Sequence, residues 1–211
     1  MNVSDPVAGI LLAGGRSSRM GGGDKCLRML GGRPILARII ERLKPQVSGM
    51  VINANGEPSR FASFGLPVAA DSIAGFAGPL AGVHAGLEWV KANRPGARFA
   101  VTVATDTPFF PGDLVQRFLA ALKGETALCV ARSGQGVHPV IGLWPVALAP
   151  ALEDSLRQGL RKVGAWTEAH GAIEVSFPEV EVAGRLIDPF FNINEPGQLA
   201  AADALLKEEA S

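Results

Sequence analysis

An apolar run at residues 7–13 (VAGILLA) leads into a glycine-rich segment and then into an amphipathic stretch that starts at Pro34. A buried parallel strand is apolar in this way, and proline is common at the first position of a helix. The intervening segment, residues 12–25 (LAGGRSSRMGGGDK), holds two arginines and one lysine among five glycines. Glycine lets backbone N–H groups approach an anion closely. The pattern therefore predicts a phosphate-binding loop after the first strand.

Two well-defined phosphate-binding motifs do not fit this loop. G-x-G-x-x-G is absent because the first two glycines are adjacent, and G-x-x-x-x-G-K-[ST] is absent because Lys25 is followed by Cys26. Three cations lie within ten positions: Arg16, Arg19 and Lys25. They could cover a triphosphate, or a pyrophosphate and a second phosphate. The alternative is a glycine-rich surface turn with solvated arginines.

Short apolar runs alternate with longer amphipathic segments along the rest of the chain. Further strands are predicted at residues 50–54, 66–70, 99–104, 127–131 and 140–143. Helices are predicted at residues 34–43, 79–92, 113–122 (with Asp113 as its cap) and 196–207. Strands that alternate with helices predict an α/β fold with a mostly parallel sheet.

Composition limits what the chain can do. Its 211 residues, 47% hydrophobic and 19% charged, suit one sizeable core rather than two full domains. Lys+Arg and Asp+Glu each number 20, which argues against a surface that binds nucleic acid or membrane. No apolar run approaches 18 residues and the start lacks a basic region, so we expect a cytoplasmic protein. Cys26 and Cys129 are expected to be free thiols.

Polar residues follow three of the predicted strands. Asn53, Asp71 and Asp106 come at or just after the carboxyl ends of apolar runs, which is the edge where open α/β sheets bind ligands. A carboxylate at Asp106, facing a cationic loop, is well placed to hold Mg²⁺ against phosphate oxygens. The alternative is that Asp106 only makes a turn. No trio of Cys, His and carboxylate has the spacing of a zinc or iron site.

The loop and several later segments resemble a known family. The loop resembles the nucleotidyltransferase signature L-A-G-G-x-S-x-R-M-G-x-x-K, with an extra residue before the lysine. This signature alone indicates only the enzyme class. Six later segments narrow the resemblance to molybdenum cofactor guanylyltransferases, the MobA family, over almost the whole chain. They are NAN (53–55), DS (71–72), GPLAG (78–82), DTPFFP (106–111), HPVIGLWP (138–145) and FFNINEP (190–196).

The resemblance implies a fold and a reaction. The fold is a Rossmann-like three-layer sandwich of the nucleotidyltransferase type, formed by a single domain, with a nucleotide-binding half at about 1–112 and an acceptor-binding half at about 113–211. The reaction transfers GMP from GTP to molybdenum-molybdopterin, with Mg²⁺, and releases pyrophosphate. Cofactor-biosynthesis proteins and molybdoenzyme apoproteins or their chaperones are implied as partners. The alternatives are a cytidylyltransferase for the same cofactor and a non-catalytic cofactor carrier.

The resemblance also implies residue roles. Backbone groups of Leu12, Ala13 and Gly14 contact the nucleotide. The phosphate loop contributes Gly15, Arg19, Gly22 and Lys25, with Arg19, Lys25 and Asp106 catalytic and Asp106 as the metal ligand. Asn53 and Asp71 recognise the nucleoside, Gly78 and Gly82 shape the site, and Asn192 and Asn194 face the pterin.

Some positions depart from the family pattern or leave alternatives open. Gly56 stands where the family often has an arginine after NAN, so a phosphate contact from that position is lost. Residues 190–194 (FFNIN) predict a short strand with both asparagines on one face. His138 either touches a substrate anion or makes a hydrogen bond at the start of a strand.

Overall fold

The structure of the chain, a computed structural model, describes residues 6–14, 24–73, 78–123 and 127–209. The strands in these ranges are β1 (Val7–Leu12), β2 (Met29–Leu30), β3 (Arg33–Pro34), β4 (Gly49–Asn53), β5 (Val68–Ala69), β6 (Phe99–Ala104), β7 (Cys129–Ser133), β8 (Gly136–Pro145), β9 (Ile173–Ser176), β10 (Val180–Val182) and β11 (Arg185–Ile187). The α-helices are α1 (Ile35–Leu43), α2 (Pro79–Asn93), α3 (Leu114–Ala121), α4 (Ala149–Arg157), α5 (Val163–Ala169) and α6 (Pro196–Glu209).

The main sheet has seven strands in the order β5-β4-β1-β6-β8-β7-β9. Strand β1 lies between β4 and β6 and runs parallel to both. Strand β8 pairs antiparallel with β6 and with β7, whereas β7 and β9 are parallel. The prediction of a mostly parallel α/β sheet is therefore confirmed. Strands β2 and β3, and β10 and β11, form two small separate hairpins.

The two faces of the sheet pack against two hydrophobic clusters. Along β1, Val7 and Leu11 belong to one cluster, whereas Ile10 and Leu12 belong to the other. This alternation follows from the period of two in a strand. The first cluster includes α1 and α3, and the second includes α2, α4 and α5. Helices thus cover both faces, as in the three-layer sandwich that was expected.

Two glycines let α2 lie unusually close to the sheet. A Cβ at Gly86 would lie 2.5 Å from Cγ2 of Ile10, and a Cβ at Gly82 would lie 2.2 Å from Oδ1 of Asn53. Real Cβ atoms do not come this close to other heavy atoms, so a larger residue would push the helix away. The helix is therefore held near the carboxyl ends of β1 and β4.

Several element predictions need correction. Residues 190–194 form no strand, and β8 is much longer than the predicted run at 140–143. The Asp113 side chain makes no capping hydrogen bond to α3 and instead accepts one from Nε of Arg117 at 2.7 Å. An ion pair one helical turn away can use the carboxylate that an N-cap would need. Cys26 and Cys129 are free and buried, as expected.

Candidate active site at the carboxyl edge of the sheet

The carboxyl ends of β1, β4, β5 and β6 meet at one edge of the sheet. The Ala13 N–H donates to the Asn53 carbonyl oxygen at 2.9 Å, and the Thr105 hydroxyl donates to the Leu12 carbonyl oxygen at 3.0 Å. These bonds continue the parallel pairing beyond the strands and fix residues 12–14 between β4 and β6. Gly14 follows directly, 3.8 Å from Asn53 Oδ1 when measured from the position of a Cβ. The start of the predicted nucleotide-binding loop is therefore rigid.

Asn53, Asn55 and Asp71 form one hydrogen-bonded group. The Asn53 amide donates to Asp71 Oδ1 at 3.0 Å and to the Ala69 carbonyl oxygen at 3.1 Å. The Asn55 amide donates to Asp71 Oδ2 at 2.7 Å and accepts from the Asp71 N–H at 2.9 Å. Both oxygens of this carboxylate therefore hold amide groups. Since each oxygen has further lone pairs, the carboxylate can still accept from a ligand.

The predicted glycines Gly78 and Gly82 lie at the start of α2, beside this group. Gly78 precedes the helix with a φ of +133°, which side chains with a Cβ rarely adopt. Gly82 leaves the space into which the buried Asn53 amide fits. Gly78 thus provides the positive φ before the helix, and Gly82 provides room for the Asn53 side chain.

Lys25, Asp106 and Asn194 meet in a second group. The Lys25 Nζ lies 2.7 Å from Asp106 Oδ2 and 2.5 Å from Asn194 Oδ1. The Lys25 side chain is 15% exposed and that of Asp106 20%, so water screens this pair only in part. Residues from the loop, from the end of β6 and from the C-terminal segment, which are far apart in the sequence, are therefore brought together.

The segment that carries Asn192 and Asn194 is irregular but anchored. Phe190 and Ile193 are buried, and the Ile193 N–H donates to the Asp106 carbonyl oxygen at 2.9 Å. The Gln198 side chain accepts from the Asn194 and Glu195 N–H groups and so caps the start of α6. The two asparagines differ, because Asn194 contacts Lys25 whereas the buried Oδ1 of Asn192 has no hydrogen-bond partner.

The chemistry of Asp106 suits a hard cation. Its Oδ2 accepts from Lys25, whereas its Oδ1 is buried and has no hydrogen-bond partner. A buried acceptor without a partner is costly, and a divalent cation is one group that would remove that cost. Within the described ranges, no group of three or more His, Cys, Asp or Glu could hold a metal.

Part of the predicted site lies outside the described residues. This part holds four of the predicted phosphate-loop residues: Gly15, Arg16, Arg19 and Gly22. Their roles remain predictions from the sequence. Two contacts in the described part were missed: Asn55, which belongs to the NAN motif, and Arg60, which lies in a short 3-10 helix (Pro58–Phe64). The motif pointed to Asn55, but nothing in the sequence marked Arg60.

Other reactive side chains near this edge are unsuited to catalysis. Burial raises the pKa of the Cys26 thiol to about 11, and the nearby Asp24 carboxylate adds to the effect. The thiol beside Lys25 is therefore protonated and is not a nucleophile. His138 Nε2 lies 2.8 Å from the Ser133 hydroxyl, and burial lowers the pKa of His138. A neutral, hydrogen-bonded histidine fits the structural alternative better than a contact with an anion.

Comparison with known proteins places these features in a family. Residues 9–172 match the model of the MobA-like NTP transferase domain. A molybdenum cofactor guanylyltransferase of Bradyrhizobium sp. (strain ORS 278) is 49% identical over 205 residues, covering 96% of this chain and 94% of that protein.

Solved structures share the fold at low sequence identity. Molybdopterin-guanine dinucleotide biosynthesis protein A from Archaeoglobus fulgidus is 21% identical, with a TM-score of 0.69 over 96% of this chain and 100% of that one. A Mycobacterium tuberculosis H37Rv protein solved in complex with manganese is 16% identical, with a TM-score of 0.65 and the same coverage. Among the described helices, none combines the length and the apolar character that a membrane crossing requires.

Proposed function

This chain belongs to the MobA-like NTP transferase family, and we propose that it transfers GMP from GTP to molybdenum-molybdopterin. The products are molybdopterin guanine dinucleotide and pyrophosphate. The proposal draws on the names of near-full-length relatives and, above all, on one observation. A lysine from the glycine-rich loop, a carboxylate from the end of β6 and an amide from the C-terminal segment converge within hydrogen-bond distance.

The proposed reaction requires no general base. The terminal phosphate of molybdopterin is already anionic at neutral pH, and one of its oxygens attacks the α-phosphorus of GTP. A new P–O bond forms, the bond from the α-phosphorus to the bridging oxygen breaks, and pyrophosphate leaves with the electron pair. The protein has to align two anions and offset the developing charge.

Among the residues that the structure describes, Lys25 is proposed to offset the charge that develops on the phosphates. Its Nζ is held between Asp106 and Asn194, which orients it without immobilising all three of its donors. A cation that is fixed in a partly screened site stabilises a phosphate more than a fully solvated cation does. The loop arginine Arg19, which lies outside the described residues, is proposed to assist it.

Mg²⁺ is the proposed metal, held through Asp106. Carboxylate oxygens are its preferred protein ligands, and it commonly binds one or two carboxylates together with substrate phosphates. The unpartnered Oδ1 of Asp106 fits that use. When bound, the ion would neutralise phosphate charge at the reacting centre.

The Asn53–Asn55–Asp71 group is proposed to select guanine. The Watson–Crick edge of guanine presents adjacent N–H donors, which a carboxylate can accept as a pair. Asp71 is positioned by two amides and by its own N–H, so it would bind without having to reorient. The acceptor is then proposed to bind on the side of residues 192–194.

Calorimetric titration with GTP, ATP and CTP tests this assignment. We expect GTP to bind at least about tenfold more tightly than the other two, because a mismatched base leaves the Asp71 carboxylate without its paired donors. Asp71→Asn should reduce this preference, with Asp154→Asn, on α4, as the control. Equal binding of all three nucleotides would refute guanine selection, and tighter binding of CTP would favour the cytidylyltransferase.

A further inference from the structure

The guanidinium of Arg60 joins two parts of the site that the proposed mechanism treats separately. Its Nε lies 2.6 Å from Asp24 Oδ2, and its Nη2 donates to the Asn55 carbonyl oxygen at 2.5 Å. Asp24 directly precedes Lys25, and the side chain of Asn55 holds Asp71. Arg60 therefore bridges the segment of the phosphate-binding lysine and the nucleoside-binding group.

The local chain is shaped around this guanidinium. A Cβ at Gly56 would lie 2.8 Å from Nη1 of Arg60, and Gly56 has a φ of +87°. Glycine at position 56 thus avoids the backbone strain that a residue with a Cβ would have at this φ, and it leaves space for the Arg60 guanidinium. The Arg60 Cζ also lies 4.9 Å from the centre of the Phe61 ring, which is fully buried. The guanidinium accordingly lies beside position 56, where the family often has an arginine.

The ion pair between Arg60 and Asp24 is better suited to positioning Asp24 than to stabilising the fold. Arg60 and Asp24 have 29% and 21% of their side chains exposed, and pairs that water reaches contribute little to stability. The contact is an ion pair without hydrogen-bond geometry, since the buried Nε of Arg60 has no hydrogen-bond partner. The attraction nevertheless holds Asp24 beside the guanidinium, and the Asp24 carbonyl oxygen accepts from the Leu27 N–H at 3.1 Å in the 3-10 helix (Lys25–Leu27). A shift of this short helix would move the Lys25 ammonium relative to Asp106.

We propose that Arg60 is a positioning residue that acts through Asp24 to hold Lys25 at the reacting phosphates. The inference deepens the proposed function and rests on it for the role of Lys25. A displacement of about 1 Å in a catalytic group can lower a rate by about a hundredfold. Because Asn194 can still hold the ammonium when the contact with Asp106 is lost, we expect a smaller loss of about tenfold in kcat for Arg60→Ala. The KM for GTP should change by less than about threefold.

The test is a double-mutant cycle of Arg60→Ala, Asp24→Asn and the pair, with Arg60→Lys as the conservative variant. Arg157→Ala is the matched control, since Arg157 pairs with Glu153 on the exposed face of α4. If Arg60 acts through Asp24, the pair should be no slower than Arg60→Ala alone, and Arg60→Lys should recover part of kcat. A merely structural role would lower the melting temperature and leave the kcat of the folded fraction unchanged.

If the unmodified protein turns over GTP, the proposed function is supported, and two results would then overturn the positioning role of Arg60 alone. One is wild-type kcat in folded Arg60→Ala, and the other is fully additive losses, which would mean that Arg60 contacts the substrate itself. A crystal structure of Arg60→Ala gives a readout that does not depend on turnover. We expect the Lys25 Nζ to leave hydrogen-bond distance of Asp106. A retained contact of 2.7 Å, the distance in the unmodified chain, would refute the positioning role even if GTP proved not to be the substrate.

Discussion

The proposed nucleoside side and the proposed acceptor side of this site are held in different ways. Asn53 is 3% exposed, ends a central strand and bonds to Asp71 and to the backbone of β5. Asn194 is exposed, lies in irregular chain and depends on Lys25 and Gln198. The first side is part of the core of the fold, whereas the second is a surface segment anchored by Phe190 and Ile193.

This difference predicts two kinds of mutational effect. A change on the nucleoside side should alter nucleotide affinity and stability together, because the same atoms pack the sheet against α2. A change on the acceptor side should alter activity with little loss of stability, because few buried contacts depend on it. The lysine group between the two sides should affect the rate most.

Lys25→Ala is expected to have the largest effect. Loss of one oriented charge contact of this kind lowers kcat by about a hundredfold. The melting temperature should change little, since the contacts that Lys25 makes are partly exposed. Steady-state kinetics and thermal unfolding measure the two effects, with Lys91→Ala as a control, since this exposed lysine pairs with Glu88. Full turnover by a folded Lys25→Ala protein would remove the lysine from the reaction.

Asp106→Asn should lower the rate by about tenfold at limiting Mg²⁺, because a neutral amide is a weaker ligand for a hard cation than a carboxylate. The concentration of Mg²⁺ that gives half the maximal rate should rise. Magnesium titrations of the unmodified protein, of Asp106→Asn and of Asp113→Asn, whose carboxylate lies on the surface, make the comparison. Identical titration curves for all three proteins would assign Asp106 to the turn after β6 instead.

Gly82→Ala tests the coupling of affinity and stability on the nucleoside side. The new methyl group would lie 2.2 Å from Asn53 Oδ1, so either the amide or α2 must move. We expect a loss of about 1–3 kcal/mol in the free energy of unfolding, typical of overpacking, and weaker GTP binding. Gly197→Ala is the control, since a Cβ there meets nothing within 4 Å. Normal stability with normal GTP affinity would show that α2 tolerates the shift.

Asn192→Ala and Asn194→Ala should give the smallest effects and the clearest separation of the two sides. Each variant should weaken molybdopterin binding or turnover by a few fold, since the loss of a single hydrogen bond costs about 1 kcal/mol. GTP affinity should stay within about twofold, with an unchanged melting temperature. Paired titrations with GTP and molybdopterin measure this. Weak GTP binding with normal molybdopterin binding would place the asparagines on the nucleoside side instead of the acceptor side.

The sequence predicted the strand ends more successfully than the contacts between distant segments. Apolar runs at residues 7–13 and 99–104 contain β1 and β6. Asn53, Asp71 and Asp106 lie at or just after strands that run parallel and so end at the same edge. This worked because a strand buried on both faces must be apolar throughout, and parallel strands share a carboxyl edge. The glycines of GPLAG were recognised by resemblance, but their physical reasons, a positive φ and a 2.2 Å approach, needed coordinates.

The C-terminal segment shows where a periodic pattern misleads. The alternation in FFNIN predicted a strand, yet the backbone there bonds to Asp106 and to Gln198 instead of to a neighbouring strand. The buried residues of the segment, Phe190 and Ile193, are three positions apart, so the alternation predicted neither the backbone pairing nor the burial. Likewise, the link from Arg60 to Asp24 spans 36 positions by their numbers, and no local pattern encodes it.

A single-turnover reaction with molybdopterin and each of the four nucleoside triphosphates tests the proposed GMP transfer most directly, with the product identified by mass. We predict molybdopterin guanine dinucleotide and one equivalent of pyrophosphate from GTP, and little product from ATP, CTP or UTP. A cytosine dinucleotide formed from CTP while GTP stays unreacted would contradict the account. So would binding of molybdopterin without product from any of the four nucleotides.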